Sequence, residues 1–163
     1  MNHPKSHLFY QSRLRRPLVD RAEGIYFWDS TGKRYLDGSS GAMVCNIGHS
    51  NPNVLEAMRK QMERATFAYR LQFENEPAEK LTGHLVEYMP GDLDKVFFVS
   101  GGSEAVEACL KMARQYTLAI GQPQRYKTIS RFPSYHGSTL GALAATGMSL
   151  MSAPFDPMLR QMP

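Results

Sequence analysis

The sequence has few cysteines and no long apolar run. Cys45 and Cys109 are the only cysteines among 163 residues, and their wide separation suggests neither a disulfide framework nor a CxxC metal site. No stretch approaches about 18 continuous apolar residues, and the N-terminal residues contain no apolar core of an export signal. We therefore expect a cytoplasmic protein with reduced thiols, without a membrane-spanning segment and without a bound metal.

Excess charge of one sign is also small. The formal net charge is +4, and the only tight basic cluster consists of Arg13, Arg15 and Arg16. No aromatic residues are interleaved with these arginines, and no nucleic-acid-binding motif is present. The cluster is interpreted as a solvated arm, so no nucleic-acid partner is expected.

Predicted helices alternate with short apolar runs along the chain. Residues 25–38 contain two aromatic-rich runs around a Ser-Thr-Gly turn, which predicts a β-hairpin. Asn51 is a predicted N-cap with Pro52 at the first helical position, and a further helix is predicted to begin after Asn75. Such alternation indicates an α/β fold with a largely parallel sheet. The other predicted elements are strands at 96–99 and 126–130 and helices from about residue 104 and over 136–146.

The stretch FFVSGGSEAVEACLKMARQY, residues 97–116, joins a predicted strand to a predicted helix through Gly101, Gly102 and Ser103. Unpaired backbone N–H groups and the positive end of the helix dipole meet at such a joint, which favours phosphate binding. A tight turn with a serine cap is the alternative, and spacing alone leaves both open. We expect Glu104 and Glu107 to face away from a bound phosphate, with Glu107 pairing with Lys111 on the outer side of the helix.

The segment FPSYHGSTLGA, residues 132–142, repeats this arrangement after the second predicted strand. Tyr135 is predicted to lie at the carboxyl edge of the sheet beside the phosphate loop, where its ring can stack on a flat ligand. A core or rim aromatic is the alternative. His136 is predicted to be a hydrogen-bonded residue of this loop rather than a catalytic base.

The chain contains four ordered motifs, which are GIYFWDSTGKRYLDGSSG, NIGHSNPNVLEAMRKQM, FFVSGGSEAVEACLKMARQY and SYHGSTLGALAATG. Together they resemble the class III aminotransferases, which are pyridoxal-phosphate enzymes of fold type I. The resemblance implies that Gly102 and Ser103 hold the phosphate of pyridoxal 5'-phosphate and that Tyr135, with His136 beside it, faces the cofactor ring. It also implies that the loop 40–44 borders the substrate, with Met43 touching it. His49 in the Gly-His-x-x-Pro signature is interpreted as structural.

The resemblance also implies which parts of the family fold are present. Residues 1–50 correspond to an N-terminal arm, hairpin and loop. Residues 51–163 correspond to part of the large domain, with a phosphate loop near 100–104 and a ring-stacking loop near 133–138. The family's Schiff-base lysine and the aspartate that pairs with the pyridinium nitrogen lie later than these motifs. We therefore expect an N-terminal fragment with a truncated, mostly parallel sheet and no catalytic residue of its own.

The resemblance implies transfer of an amino group from an amino acid or amine to a 2-oxo acid, by a protein that is a homodimer. An aminomutase, epimerase or decarboxylase of the same family, or an inert phosphate-ligand-binding fragment, remains open. The alternating apolar residues of 65–73 are a candidate dimer contact. Alone, the chain is expected to be inactive, marginally stable and prone to associate.

Overall fold

The computed structural model describes residues 6–10 and 14–159. The chain forms two compact units with the boundary after Asn75. Each unit is taken by itself below and named by its content, the hairpin unit before the boundary and the helical unit after it. No helix in the described ranges has the length and apolar character needed to cross a membrane.

The hairpin unit contains a three-stranded antiparallel sheet. Its strands are β1 (Val19–Glu23), β2 (Tyr26–Asp29) and β3 (Arg34–Leu36), in the order β1-β2-β3. Tyr26 lies opposite Leu36 in the β2–β3 ladder, so the hairpin predicted within 25–38 is confirmed. Strand β1 was not predicted because it is short, charged and mostly exposed.

Two helical segments follow the sheet in the hairpin unit. The single turn α1 (Ser40–Met43) contains three positive φ angles, whereas α2 (Pro52–Arg64) is a regular helix. The side chain of Asn51 accepts a hydrogen bond from the backbone N–H of Asn53 at 3.1 Å, which confirms the predicted N-cap. No residue of α2 is buried, so its apolar stripe stays uncovered within the described structure.

The helical unit is built from short and long helices. The buried residues among the described part of this unit lie in and next to the small-residue helix α5, namely Gly137, Gly141, Ala142, Leu143, Ala145 and Thr146. Small side chains let this segment pack closely against neighbouring chain. The helices are α3 (Glu76–Val86), α4 (Gly102–Ala119), α5 (Leu140–Ala145), α6 (Ser149–Ser152) and α7 (Asp156–Leu159), with a 3-10 turn at Ala153–Phe155.

The parallel strands predicted at 96–99 and 126–130 are not formed in the described part of the chain. A strand is held by hydrogen bonds to a neighbouring strand, and neither segment has a ladder partner among the described residues. Their apolar side chains are accordingly uncovered, with Phe97 at 55% and Ile129 at 97% exposure. The helix predicted over 136–146 is also shorter, because residues 136–139 form a loop before α5.

Candidate functional site

The start of α4 is open and rich in backbone donors. The helix begins at Gly102, Gly101 is its N-cap, and no side chain caps it. The backbone N–H of Ala105 donates to the Gly101 carbonyl at 3.0 Å, so the N–H groups of Gly102, Ser103 and Glu104 precede the first helical bond. A Cβ on Gly102 would have no atom within 4 Å. Gly102 and Ser103 thus lie in the first turn, as predicted, beside open space.

Ser103 connects the start of α4 to the loop that precedes α5. The backbone N–H of Ser138 donates to Ser103 Oγ at 3.0 Å. Gly137 is buried here with a φ of 143°, and a Cβ on it would lie 2.7 Å from both Ser103 Oγ and the Cβ of Ala142. Only glycine fits this contact. The structure therefore brings together the two loops that the sequence singled out separately.

A buried threonine holds the same loop from its other side. Thr146, which is 5% exposed, accepts the backbone N–H of His136 at 3.1 Å and donates to the Ala142 carbonyl at 2.9 Å. His136 is half-buried, whereas Tyr135 is 58% exposed. Tyr135 is therefore an exposed aromatic residue next to a fixed backbone and not part of the core.

Glu107 also holds this region, which the sequence did not indicate. Its Oε1 accepts hydrogen bonds from Thr139 Oγ1 at 2.7 Å and from the backbone N–H groups of Gly141 at 3.0 Å and Ala142 at 3.2 Å. The Thr139 hydroxyl is the main cause that holds the pKa of Glu107 below its usual value, with smaller contributions from the two amides and Lys111. Its expected place on the outer side of α4 is wrong, because the carboxylate is directed to the start of α5. The partners lie 32–35 residues away, beyond the reach of any local pattern.

Glu104 also differs from expectation. A Cβ on Gly101 would lie 3.0 Å from Glu104 Oε2, so this carboxylate folds back to the helix start and does not face away from it. A carboxylate at a helix N-terminus is favoured by the dipole. It would have to move aside for an anion to take the same place.

A cavity of about 400 Å³ lies along α4 in the helical unit. Glu107, Leu110, Arg114 and Tyr126 are among the residues that line it. None of the residues predicted to bind a cofactor is part of this lining. We therefore assign the candidate site to the donors at the start of α4 and not to this cavity.

Met43, the predicted substrate contact, lies in the hairpin unit. It has a φ of 62° and is 79% exposed, at the end of the α1 turn. His49, in the same unit, lies 2.8 Å from Asp37 through Nε2, and its ring packs 4.3 Å from that of Phe27. The imidazole links separate segments of the hairpin unit, in line with the structural interpretation of His49.

No lysine in the described ranges lies in a site suited to a Schiff-base amine. All six lysines of these ranges are exposed, whereas such an amine requires a desolvated surrounding. Lys80 pairs with Glu76 at 2.7 Å and Lys95 with Asp94 at 2.8 Å. Groups of three or more His, Cys, Asp or Glu residues able to hold a metal are absent from the described ranges as well.

Comparison with known proteins gives matches over nearly the whole chain. The family model for class III aminotransferases matches residues 10–163. An uncharacterized aminotransferase, YodT, of Bacillus subtilis is 46% identical over 147 residues, which are 90% of this chain and 33% of that protein. A probable aminotransferase of Mycobacterium tuberculosis, Rv3329, is 41% identical over 145 residues, covering 89% of this chain and 31% of that protein.

The solved structures that match the chain are also those of transaminases. A thermostable (S)-enantioselective omega-transaminase from Thermomicrobium roseum matches with a TM-score of 0.84 and 39% identity, covering 92% of this chain and 35% of that one. An omega transaminase from Pseudomonas jessenii in complex with PMP matches with a TM-score of 0.86 and 31% identity, over 94% of this chain and 35% of that one. The chain thus spans about a third of the length of the proteins it matches.

Proposed function

Because this chain belongs to the class III aminotransferases and shares the fold of fold type I transaminases, we propose that it is part of a pyridoxal-phosphate-dependent transaminase. The proposed reaction moves an amino group from an amino acid or amine donor to a 2-oxo acid acceptor. The observation that carries the cofactor assignment is the hydrogen bond between Ser138 and Ser103, which joins the start of α4 to the loop 133–138.

The start of α4 fits the phosphate of this cofactor. Three backbone N–H groups precede the first helical hydrogen bond, and the space beside Gly102 is open. Ser103 Oγ accepts from Ser138, so its own hydroxyl proton remains available to a phosphate oxygen. With the helix dipole, these groups form the kind of site that binds a phosphate dianion. The nearby carboxylate of Glu104 must turn away when the phosphate binds.

The loop 133–138 fits the ring of the cofactor. Tyr135 offers an exposed aromatic face, and the backbone of the next residue, His136, is fixed by Thr146. A ring on a rigid loop can stack on a flat pyridine at low entropic cost. We propose that Tyr135 orients the cofactor and that His136 lines the same site. When bound, the cofactor supplies an electron sink at the donor carbon.

Further roles are assigned by family membership. We propose that Met43 contacts substrate, since it is exposed on a strained turn. The amine that bonds to the cofactor is proposed to come from outside the described residues, because every described lysine is exposed. Residues 1–163 alone are accordingly expected to be inactive. The division of the family fold at residue 50 stays a prediction.

We also propose that the whole protein is a cytoplasmic homodimer. Its candidate contact is the segment 65–73, in which Phe67 is 79%, Leu71 75% and Phe73 66% exposed. An apolar segment uncovered in its own chain is typical of a subunit interface. Sedimentation of the full-length protein tests this: a monomer at micromolar concentration would contradict it.

The cofactor assignment is tested in the full-length protein with Ser103→Ala. We expect pyridoxal phosphate, titrated into the apoprotein and followed by absorbance, to bind about tenfold more weakly, as loss of one charge-assisted hydrogen bond predicts. Ser138→Ala is the matched control, because its contact uses only the backbone N–H, and it should bind normally. Unchanged binding by Ser103→Ala would overturn the assignment.

The reaction is tested separately by product analysis. The full-length protein should convert an amine or amino acid donor and a 2-oxo acid into the corresponding carbonyl compound and new amino acid. An isomerised or decarboxylated amino acid without amino transfer would instead indicate another reaction of the same family.

A further inference from the structure

The hairpin unit contains a connected thiol, imidazole and carboxylate. Cys45 Sγ lies 3.3 Å from His49 Nδ1, and His49 Nε2 lies 2.8 Å from Asp37 Oδ2. Cys45 and His49 lie in the loop between α1 and α2, and Asp37 is the residue after β3. They are not among the residues that the proposed cofactor site uses.

The carboxylate determines which way the hydrogen bonds run. The hydrogen bond from His49 holds the pKa of Asp37 below its usual value, so the carboxylate is ionised and can only accept. Nε2 must then carry the hydrogen and donate to Asp37. In a neutral imidazole this leaves Nδ1 without a hydrogen, so the Cys45 thiol donates to Nδ1. The imidazole is therefore placed to take the thiol proton.

The imidazole is held rigidly in this position. The side chains of His49 and Asp37 are only 18% and 9% exposed, and the His49 ring packs on Phe27. The backbone of His49 exchanges two hydrogen bonds with Gly24, at 2.7 and 3.0 Å. A nucleophile, a base and a group that orients the base are the parts of an activated thiol. Cys45 itself is partly exposed, so a small reagent can reach it.

We propose that Cys45 is a nucleophilic thiol, activated by His49 and Asp37, and a covalent modification site for small carbon electrophiles. With iodoacetamide as the probe, the thiol proton passes to His49 Nδ1 and the sulfur attacks the methylene carbon. The S–C bond forms as the C–I bond breaks, and iodide leaves. The protonated imidazole then returns its proton to solvent.

Cys109 provides an internal control. It lies on α4 and is more exposed than Cys45, and no imidazole or carboxylate hydrogen-bonds to it in the described structure. Exposure alone therefore predicts faster alkylation of Cys109, whereas activation predicts faster alkylation of Cys45. An ordinary thiol is only a few per cent ionised at neutral pH, so a base that removes its proton increases the fraction able to attack. Part of this increase is offset, because the thiolate of a more acidic thiol is less nucleophilic. We expect a net advantage for Cys45 of about threefold or more.

The experiment is a timed alkylation of the natively folded full-length protein with limiting iodoacetamide, followed by peptide mass spectrometry. Trypsin places the two thiols in separate peptides, 35–59 and 96–111. Cys45 should be alkylated first in the native protein, and both thiols should react at similar rates after denaturation. Equal or slower native alkylation of Cys45 would overturn the proposal.

The origin of the activation is tested with Asp37→Asn. An amide can donate to Nε2 and so remove the preference for the tautomer that accepts the thiol proton, which should reduce the rate at Cys45 to that of Cys109 or below it. Asp20→Asn, on the exposed face of β1, is the matched control and should leave the rate unchanged. Undiminished reactivity in folded Asp37→Asn would also overturn the proposal. If that variant does not fold, the native ratio of the two thiols decides.

Discussion

Asp29 in the hairpin unit and Glu107 in the helical unit each gather several donors on one carboxylate, at very different distances along the chain. Asp29, which is 3% exposed, accepts from the Thr31 backbone at 2.8 Å and hydroxyl at 2.6 Å, the Lys33 backbone at 3.1 Å, and the Tyr35 hydroxyl at 2.8 Å. All of these partners lie within six residues of Asp29. The turn between β2 and β3 therefore carries its own hydrogen-bond acceptor.

The donors to Glu107 lie 32–35 residues later, in the loop and first turn of α5. The bond from Ser138 to Ser103 spans the same kind of distance, 35 residues. These contacts exist only when the loop is docked on α4. The hairpin carboxylate thus stabilises a local turn, whereas Glu107 and Ser103 stabilise a tertiary arrangement on which the proposed cofactor site depends.

The largest expected effect comes from Gly137→Ala, which disrupts the docked loop. The added Cβ would meet Ser103 Oγ and the Cβ of Ala142 at 2.7 Å, in a backbone conformation that alanine rarely adopts. Overpacking and backbone strain together should lower the free energy of unfolding by about 2–4 kcal/mol and weaken cofactor binding. Thermal melting and pyridoxal-phosphate titration of the full-length protein measure the two effects.

Gly83→Ala is the matched control for this substitution. Gly83 lies inside α3, and a Cβ on it would have nothing within 4 Å. The same chemical change should there stabilise the helix by about 0.5–1 kcal/mol, because alanine is the better helix former. Equal stability of the Gly137 and Gly83 variants would contradict the docked loop.

The second prediction uses Asp29→Ala to test whether the hairpin carboxylate stabilises only its own turn. The substitution leaves the partly buried donors of Thr31, Lys33 and Tyr35 without their acceptor. Amide hydrogen exchange across β2 and β3 should accelerate about tenfold or more, while the helical unit stays unchanged. Asp20→Ala, at an exposed position of β1, should change little. Faster exchange at α5 in the Asp29 variant would break the contrast between the two units.

The features that the sequence predicted correctly are local. The Ser-Thr-Gly turn, the Asn51 cap and the start of α4 each follow from a few neighbouring residues, and the structure confirms all three. The family resemblance also predicted the fold, and the matches to solved structures confirm it. It also provided the roles of Met43 and Tyr135, which stay predictions.

The features that the sequence missed depend on distant chain. The short strand β1 is defined by its pairing with β2, and the Glu107 contacts need α4 and α5 to be docked. The strands expected at 96–99 and 126–130 fail for the converse reason, since an apolar run becomes a strand only beside a partner. The expected directions of the Glu104 and Glu107 side chains were wrong, because they were inferred from an isolated helix without the neighbouring chain.

The third prediction concerns Glu107→Gln, which keeps the shape of the side chain and removes its charge. Uncharged acceptors form weaker hydrogen bonds, so the start of α5 should lose about 1 kcal/mol of stabilisation. Thermal melting of the full-length protein measures this loss. Glu104→Gln, which removes an exposed carboxylate from the same helix, is the control and should have a smaller effect. A Glu107 variant no less stable than that control would show that the charge of Glu107 does not stabilise the start of α5.

The smallest expected effect is the order in which the two carboxylates are protonated in acid. The Thr31 hydroxyl is the first cause that lowers the pKa of Asp29 to about 2, and the Thr139 hydroxyl is the first that lowers the pKa of Glu107 below its usual value. Since both folded pKa values are depressed, each contribution is complete above the unfolded pKa and is lost as pH falls through the folded one. Asp29 accepts four hydrogen bonds and Glu107 accepts three, so we expect the start of α5 to weaken first and the hairpin turn last. Amide chemical shifts of Gly141 and Thr31, followed by NMR during an acid titration, report the two events. If the Thr31 amide titrates at the higher pH, the hairpin carboxylate is the less strongly held of the two, and the contrast between a self-sufficient turn and a dependent loop fails.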